Sequence, residues 1–206
     1  MVETQQQVQQ KKELIPSLEQ LVRLLKPLEE QSPWLLGGSC GLLLHGVKLD
    51  KAPRDIDLYT DEIRIDTLHK QLSSEFSILD EPILDETRTY RSTLSHYQLG
   101  TYTIELVGGF EVRARESYYR VHVEPVLYPA APVYTLESGG SIHLMPLAHE
   151  LIFNLLRDRP DRYEPISERI REQSQDHATL IEQIIQHNGF HPQLMQRIRR
   201  LAGING

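Results

Sequence analysis

Cysteine is almost missing from this chain of 206 residues, which contains one cysteine and one tryptophan. With Cys40 alone, an intramolecular disulfide is impossible, and zinc frameworks built from several cysteines are excluded. No apolar run approaches the roughly 20 residues that cross a bilayer, and the glutamine-rich N-terminus lacks the apolar core of a signal peptide. We therefore expect a soluble, cytoplasmic protein with no membrane partner.

Basic residues are outnumbered, because 22 Lys and Arg face 29 Asp and Glu and give a formal net charge of −7. Non-specific nucleic-acid binding depends on basic side chains that displace counterions, so bulk DNA binding is not expected. Local contact with RNA or with a nucleotide stays open. The length suits one sizeable core, or a small α/β domain with a helical appendage, but not two full catalytic domains.

The most informative pattern is a glycine turn, Gly37-Gly38-Ser39, followed by the acidic segment Asp55-Ile56-Asp57-Leu58. Trp34-Leu35-Leu36 before the turn predicts a short buried strand, and Ser39 is placed to cap a helix from Cys40 to about Val47. Asp55 to Tyr59 predicts a strand whose two acids share a face. A glycine turn that opens a helix offers N–H groups to phosphate, and paired carboxylates offer oxygens to Mg²⁺. Together they indicate nucleotide chemistry.

Each motif alone also has an ordinary explanation. A strand-to-helix turn uses glycine for conformational reasons, and an edge strand carries acids that discourage aggregation. The joint order, however, resembles the nucleotidyltransferase superfamily that includes DNA polymerase β and the minimal nucleotidyltransferases. The family pattern is a hydrophobic strand ending in Gly-Gly or Gly-Ser, a helix, and then acid-apolar-acid-apolar. Leu36-Gly37-Gly38-Ser39 and Asp55-Ile56-Asp57-Leu58 match it.

The resemblance implies a third carboxylate on a later strand. Thr101 to Val107 looks like that strand, with Glu105 as the candidate and Glu111 as a rival. By resemblance, Asp55, Asp57 and Glu105 would ligate Mg²⁺ (or Mn²⁺), and Glu105 would also help to deprotonate the acceptor. A nucleoside triphosphate would be the donor, and an NMP would pass to a hydroxyl of a small molecule, a protein or an RNA end.

The nucleotide side of the expected site follows from the same turn. By resemblance, Gly37, Gly38 and Ser39 would bind the nucleotide, with Gly38 and Ser39 on its terminal phosphates. Arg54, just before the acids, is a further candidate because a guanidinium pairs well with phosphate, although a solvated or ion-paired arginine explains it equally.

The remaining sequence predicts an α+β fold, with a small mixed β-sheet nucleotidyltransferase core flanked by helices and followed by a C-terminal helical bundle. We expect a flexible tail over 1–12, an α/β domain over 13–145 and a helical region over 146–206. The predicted helices are Glu13–Glu30, Ile63–Phe76, Leu147–Arg157, Ser167–Gln173, His177–Gln186 and Pro192–Leu201. Two hairpins are predicted, one around Leu99-Gly100 and one around Ser138-Gly139-Gly140.

Two other functions compete with an active transferase. The first is a catalytically inactive module that keeps the nucleotidyltransferase fold for binding or regulation. The second uses Gly37-Gly38-Ser39-Cys40-Gly41 as the nucleophile elbow of an α/β-hydrolase, with Ser39 as nucleophile and His143 or His149 as base.

A separate cluster of arginines, Arg113, Arg115 and Arg120, lies on strand-like sequence beside Tyr118 and Tyr119. This cluster is either a substrate surface that combines charge with stacking or the exposed face of a half-buried sheet.

Overall fold

A six-stranded mixed sheet forms the centre of the protein in the computed structural model, which describes residues 4–204. Its strands are β1 (Leu35–Leu36), β2 (Asp55–Thr60), β3 (Ser77–Glu86), β4 (Tyr90–Leu99), β5 (Tyr102–Ala114) and β6 (Ser117–Arg120). They lie in the order β1-β2-β5-β4-β3, and β6 pairs with β5. β2 and β5 run parallel, whereas the other pairs are antiparallel. The predicted hairpin around Leu99-Gly100 is β4 with β5, and the second is β7 (Val133–Thr135) with β8 (Ser141–His143).

The acidic strand alternates as its sequence predicts. Ile56 and Leu58 are fully buried on one face of β2, which leaves Asp55 and Asp57 on the other. Because β2 pairs with β5 in parallel register, Asp57 lies directly opposite Glu105. The sheet thus brings together two acids that are far apart along the chain.

Helices cover the sheet and form the C-terminal region. They are α1 (Gln5–Leu25), α2 (Gly38–Leu44), α3 (Ile65–Ser73), α4 (Leu147–Leu156), α5 (Pro160–Arg171), α6 (Ser174–Gln186) and α7 (Pro192–Ala202). α4 packs against α5, α6, α7 and β5, and every residue in it is buried. The predicted α+β class, with its mixed sheet and C-terminal helices, is confirmed. Within residues 4–204, no helix combines the length and the apolar character of a membrane span.

The first helix begins at Gln5 rather than at Glu13, so most of the segment predicted as a flexible tail is helical. Thr4 and Gln7 form a capping box, in which the Gln7 N–H donates to Thr4 Oγ1 and the Thr4 N–H donates to Gln7 Oε1. The Gln7 amide also donates to the Val47 carbonyl at 3.3 Å and is buried there. Specific hydrogen bonds therefore order a segment that is too polar to pack by apolar contact. Residues 1–3 lie outside the described part of the chain.

Other helix bounds differ for local reasons. α5 begins at Pro160 rather than Ser167, with proline in the first turn, where its missing N–H costs no hydrogen bond. α2 begins at Gly38 and is capped by Gly37 without a side-chain hydrogen bond, so the predicted capping role of Ser39 is wrong. The glycine turn itself takes the cap position and moves Ser39 into the first turn of the helix.

Candidate functional site

A cavity of about 510 Å³ lies over the face of β2 and β5 that carries Asp55, Asp57 and Glu105. Three kinds of side chain line it: carboxylates on the sheet and on α4, aromatic rings on the sheet and on α4, and arginines at and beyond the end of α4. Gly38 and Ser39 of the glycine turn also reach its wall. One concave site therefore combines groups that bind metals, flat rings and anions.

The acidic wall is formed by Asp55, Asp57 and Glu105. Asp57 and Glu105 face each other across the β2–β5 pair. Burial raises the pKa of Asp57 to about 8, and repulsion from Glu105, Glu150 and Asp55 adds to the shift. Asp57 therefore keeps its proton at neutral pH as long as no cation replaces it.

The oxygen donors of this wall suit a hard divalent cation in kind, because Mg²⁺ and Mn²⁺ prefer carboxylates. Among residues 4–204, however, no three His, Cys, Asp or Glu side chains are arranged as a ready ligand cluster. Asp57 holds a proton there instead, because its pKa is raised to about 8. A cation at this position would favour ionised Asp57 and so release that proton.

The glycine turn lies against the same acids. The Gly37 N–H donates to the Asp57 carbonyl at 2.9 Å, which ties the turn to β2. Gly38 has φ of +56°, and a Cβ built on it would lie 1.8 Å from Asp57 Oδ2. Only glycine meets both conditions, because other residues are strained at this φ and would clash with the carboxylate. The close approach places the Gly38 amide beside the acidic wall.

A fourth carboxylate, Glu150 on the first turn of α4, has no counterpart in the sequence prediction. It is 3% exposed, and its Oε1 accepts a hydrogen bond from the Gly38 N–H at 2.9 Å. Asn154 donates to its other oxygen at 3.3 Å. Burial raises the pKa of Glu150 to about 7, although the Gly38 amide, Arg162 and Arg157 oppose the shift. The sequence signal that could have identified Glu150 is its position as a carboxylate within the otherwise apolar run of α4.

Three arginines, Arg157, Arg159 and Arg162, line the same cavity and were also missed. The Arg157 guanidinium lies over the Phe153 ring, 4.8 Å from its centroid. Arg159 forms a two-pronged pair with Asp161, at 2.9 and 2.7 Å. Arg162 Nη1 is buried and has no hydrogen-bond partner among the described residues. Arg162 thus offers an unused donor to an anionic ligand.

An aromatic wall closes the cavity between these groups. Tyr90 and Phe110 stack with their centroids 6.2 Å apart and their planes 13° apart. Phe110 meets Phe153 edge to face at 5.2 Å. The three rings give the cavity an apolar side of fixed shape.

The structure separates the two candidates for the third carboxylate. Glu105 lines the cavity beside Asp57, whereas Glu111 is buried outside its lining. Glu111 lies 3.3 Å from Arg113 and 3.9 Å from both Arg91 and Arg120. It is therefore the acceptor of an arginine cluster rather than a partner of Asp57.

The other predicted residues are divided. Five of them line the cavity: Gly38, Ser39, Asp55, Asp57 and Glu105. Gly37 does not line it, but its N–H donates to the Asp57 carbonyl and so ties the turn to β2. Arg54 is exposed and does not line the cavity.

The arginines of the last strands are ion-paired with their own chain. Arg113 pairs with Glu86 and Glu111, and Arg115 lies 2.9 Å from Asp158. These pairs favour the exposed face of a half-buried sheet over a substrate surface. The Arg115–Asp158 pair also anchors the loop that carries Arg157 and Arg159.

The residues of a hydrolase triad are apart. The His149 Nδ1 lies 2.7 Å from the Tyr119 hydroxyl in the core, and the His143 ring packs on Tyr128. Among residues 4–204, no hydrogen bond joins either histidine to Ser39. The structure thus gives Ser39 no general base.

The sheet order, the glycine turn and the facing acids define a nucleotidyltransferase fold, as solved structures show. One is a protein of Thermotoga maritima described as a candidate nucleotidyltransferase, with a TM-score of 0.58, 21% identity and coverage of 79% of this chain and 95% of that chain. Another is the antibiotic-resistance factor ANT(2″)-Ia, with a TM-score of 0.51, 11% identity and coverage of 85% and 93%. No family profile and no curated protein sequence matches the chain. The predicted resemblance to the nucleotidyltransferase superfamily is confirmed at the level of the fold.

Proposed function

We propose that this protein is a nucleotidyltransferase, which moves an NMP from a nucleoside triphosphate to a hydroxyl acceptor with the help of Mg²⁺ or Mn²⁺. The observation that carries the proposal is the register of β2 and β5, which sets Asp57 opposite Glu105 beside the Gly38 turn. The cavity of about 510 Å³ is within the size of ordinary small-ligand sites.

In this proposal, Asp57 and Glu105 hold the divalent ion, and Asp55 completes the set from the same face of β2. Bound ions would supply Lewis-acid stabilisation of the triphosphate and of the attacking oxygen. Glu105, which is partly exposed at the cavity, accepts the proton of the acceptor hydroxyl. The acceptor oxygen then bonds to the α-phosphorus while the bond to the β-phosphate breaks, and pyrophosphate leaves.

The arginine side of the cavity would hold the phosphates. Arg162 offers its unpartnered Nη1, and Arg157 offers a second guanidinium at the same wall. Gly38 and Ser39 approach from the turn. The rings of Tyr90, Phe110 and Phe153 then face the nucleobase.

For the acceptor, we propose a small hydroxyl compound as the first class to test, with a protein side chain or an RNA end as the alternatives. ANT(2″)-Ia, which shares the fold, is an antibiotic-resistance factor. The volume and the partly apolar wall of the cavity suit an NTP better than a large acceptor, so the acceptor would approach from the open side.

The arginine role gives a specific prediction. We expect Arg162→Ala to raise KM for the triphosphate by about tenfold or more, because a charge-assisted hydrogen bond to phosphate is lost, and to change kcat less. Arg162→Lys keeps the charge and should restore part of the affinity. Steady-state pyrophosphate release measures both effects. Arg200→Ala, an exposed arginine on α7 outside the cavity, should behave as wild type; an equal effect of the two alanine variants would contradict the role.

A nucleotide-binding module without catalysis is the second candidate function. Two features favour it: the raised pKa of Asp57, which keeps that carboxyl protonated at neutral pH, and the contact of Glu150 with the Gly38 amide. The transferase needs Asp57 ionised as a metal ligand and the Gly38 amide free for phosphate, whereas a module that binds nucleotide without a metal at Asp57 needs neither change.

The deciding experiment combines calorimetric titration with a pyrophosphate assay. Wild type and an Asp55→Asn/Asp57→Asn double variant are titrated with MgATP and MgGTP, and then incubated with labelled NTPs and a panel of hydroxyl acceptors. Binding and transfer by wild type alone support the enzyme. Binding without pyrophosphate release supports the module. Equal heats for the two proteins, or no binding at all, contradict the active enzyme.

A further inference from the structure

Glu150 is the feature of the cavity that the proposed chemistry leaves unexplained. We propose that Glu150 sets the metal requirement of nucleotide binding, because its carboxylate holds the Gly38 amide and repels phosphates that arrive without a divalent cation. This inference rests on the proposed function and names a selectivity of the same site: metal-complexed triphosphates over free ones.

The first support is the contact itself. Glu150 Oε1 accepts the Gly38 N–H at 2.9 Å, and the other oxygen accepts from Asn154 at 3.3 Å. A Cβ built on Gly37 would lie 3.3 Å from Oε1, so the carboxylate fits closely against the turn. A phosphate can take the Gly38 amide only after this hydrogen bond is broken.

The second support is the charge that faces Glu150 from the elements around it. Asp57, Glu105 and Asp55 lie on the sheet side, and the Glu150 charge contributes to the raised pKa of Asp57. Arg157 and Arg162 lie on the helical side. The two arginines are therefore already opposed by Glu150, and an added anion meets a site whose positive charge is largely compensated.

A divalent cation changes this balance. A triphosphate that carries its own cations brings positive charge next to Asp57, Glu105 and Glu150, so the repulsion turns into attraction. A free triphosphate brings only negative charge. Glu150 thus increases the difference in affinity between the metal-complexed and the free triphosphate beyond what Asp55, Asp57 and Glu105 alone would produce.

The opposing possibility is that Glu150 serves only to tie α4 to the glycine turn. Glu150→Gln separates the two roles, because the glutamine oxygen can still accept the Gly38 N–H while the charge is removed. Glu150→Asp keeps the charge but shortens the reach to Gly38. If the charge of Glu150 matters, Glu150→Gln should weaken the dependence of nucleotide binding on Mg²⁺ and Glu150→Asp should keep it. If Glu150 only ties α4 to the turn, Glu150→Asp should disturb nucleotide binding more than Glu150→Gln does.

The test measures dissociation constants for ATP and for GTP by calorimetry at pH 8.5, where Glu150 with its pKa of about 7 is ionised, once with excess Mg²⁺ and once with EDTA. We expect Glu150→Gln to bind metal-free ATP at least about tenfold more tightly than wild type, which shrinks the ratio of the two constants. Glu150→Asp should keep the wild-type ratio. The control Glu164→Gln removes one exposed acid from α5 outside the cavity and should also keep it.

The outcomes are separable. If wild type binds neither MgATP nor MgGTP, the proposed function fails. If wild type binds MgATP but Glu150→Gln keeps the same dependence on Mg²⁺, only the role of Glu150 is overturned. A loss of the metal requirement in both Glu150 variants would show that Glu150 acts by tying α4 to the glycine turn, and would also overturn the inference. Circular dichroism and melting of each variant verify that it is folded.

Discussion

Asp57→Asn should lower the rate of nucleotidyl transfer about a thousandfold or more. The same substitution should make the metal-free protein more stable at pH 8. Activity falls because asparagine is a poor ligand for a divalent ion and the partner of Glu105 is lost. Stability rises because a buried carboxylate with a raised pKa is costly to ionise. A single substitution would thus move transfer activity and stability in opposite directions.

The pH dependence of this effect follows from the direction of the shift. The pKa of Asp57 is about 8 in the folded protein, and an unfolded aspartate titrates near 3.9, so its stabilising contribution is present at low pH. It is lost progressively as the pH rises from about 4 to about 8. We expect Asp57→Asn to raise Tm by roughly 5 °C at pH 8 and by much less near pH 4.5.

Thermal melts of the metal-free proteins, with a pyrophosphate assay in Mg²⁺, make the measurement. Asp66→Asn on the exposed side of α3 removes an acid outside the cavity and should leave both readouts near wild type. Added Mg²⁺ should raise the Tm of wild type at pH 8 and not that of the Asp57 variant. A variant that melts lower than wild type at pH 8, or that keeps its activity, would contradict this view of Asp57.

Gly38→Ala should be the second most damaging change, with loss of transfer and of about 3 kcal/mol of folding free energy. The added Cβ would lie 1.8 Å from Asp57 Oδ2, so the carboxylate must leave its place opposite Glu105. The φ of +56° adds strain for any residue with a Cβ.

Gly46 provides the matched control, because its φ is +75° and nothing lies within 4 Å of an added Cβ. Gly46→Ala therefore carries the backbone strain alone, about 1 kcal/mol, and should keep full activity. Urea unfolding and the pyrophosphate assay separate the two variants. Equal losses in both would mean that the contact with Asp57 has no special cost.

The local part of the site could be predicted from the sequence. The turn at Gly37-Gly38 and the alternating acids Asp55 and Asp57 are short patterns. The φ of Gly38 requires glycine, and the two-residue period of a strand puts both acids on one face. Glu105 followed only from the resemblance to the nucleotidyltransferases, which implies a third carboxylate on a later strand, and Glu111 stayed open until the register of β5 was known.

The distant part could not be predicted. Glu150 meets Gly38 across 112 residues, and the position of α4 over the sheet comes from packing that no local pattern records. Arg157 and Arg162 depend on the same placement. The start of α1 was mispredicted in the opposite direction. Its polar sequence indicated a flexible tail, but a few hydrogen bonds, such as that from the Gln7 side chain to the Val47 carbonyl, order it without burying apolar area.

The location of a bound metal tests the central claim most directly. Crystals of the protein would be grown with Mn²⁺ and a non-hydrolysable ATP analogue, and the anomalous signal of manganese would be mapped. We predict manganese between Asp57 and Glu105, with Asp55 at its edge and the triphosphate between it and Arg162. Nucleotide bound in the cavity with manganese absent from these carboxylates, or manganese found only elsewhere, would contradict the account.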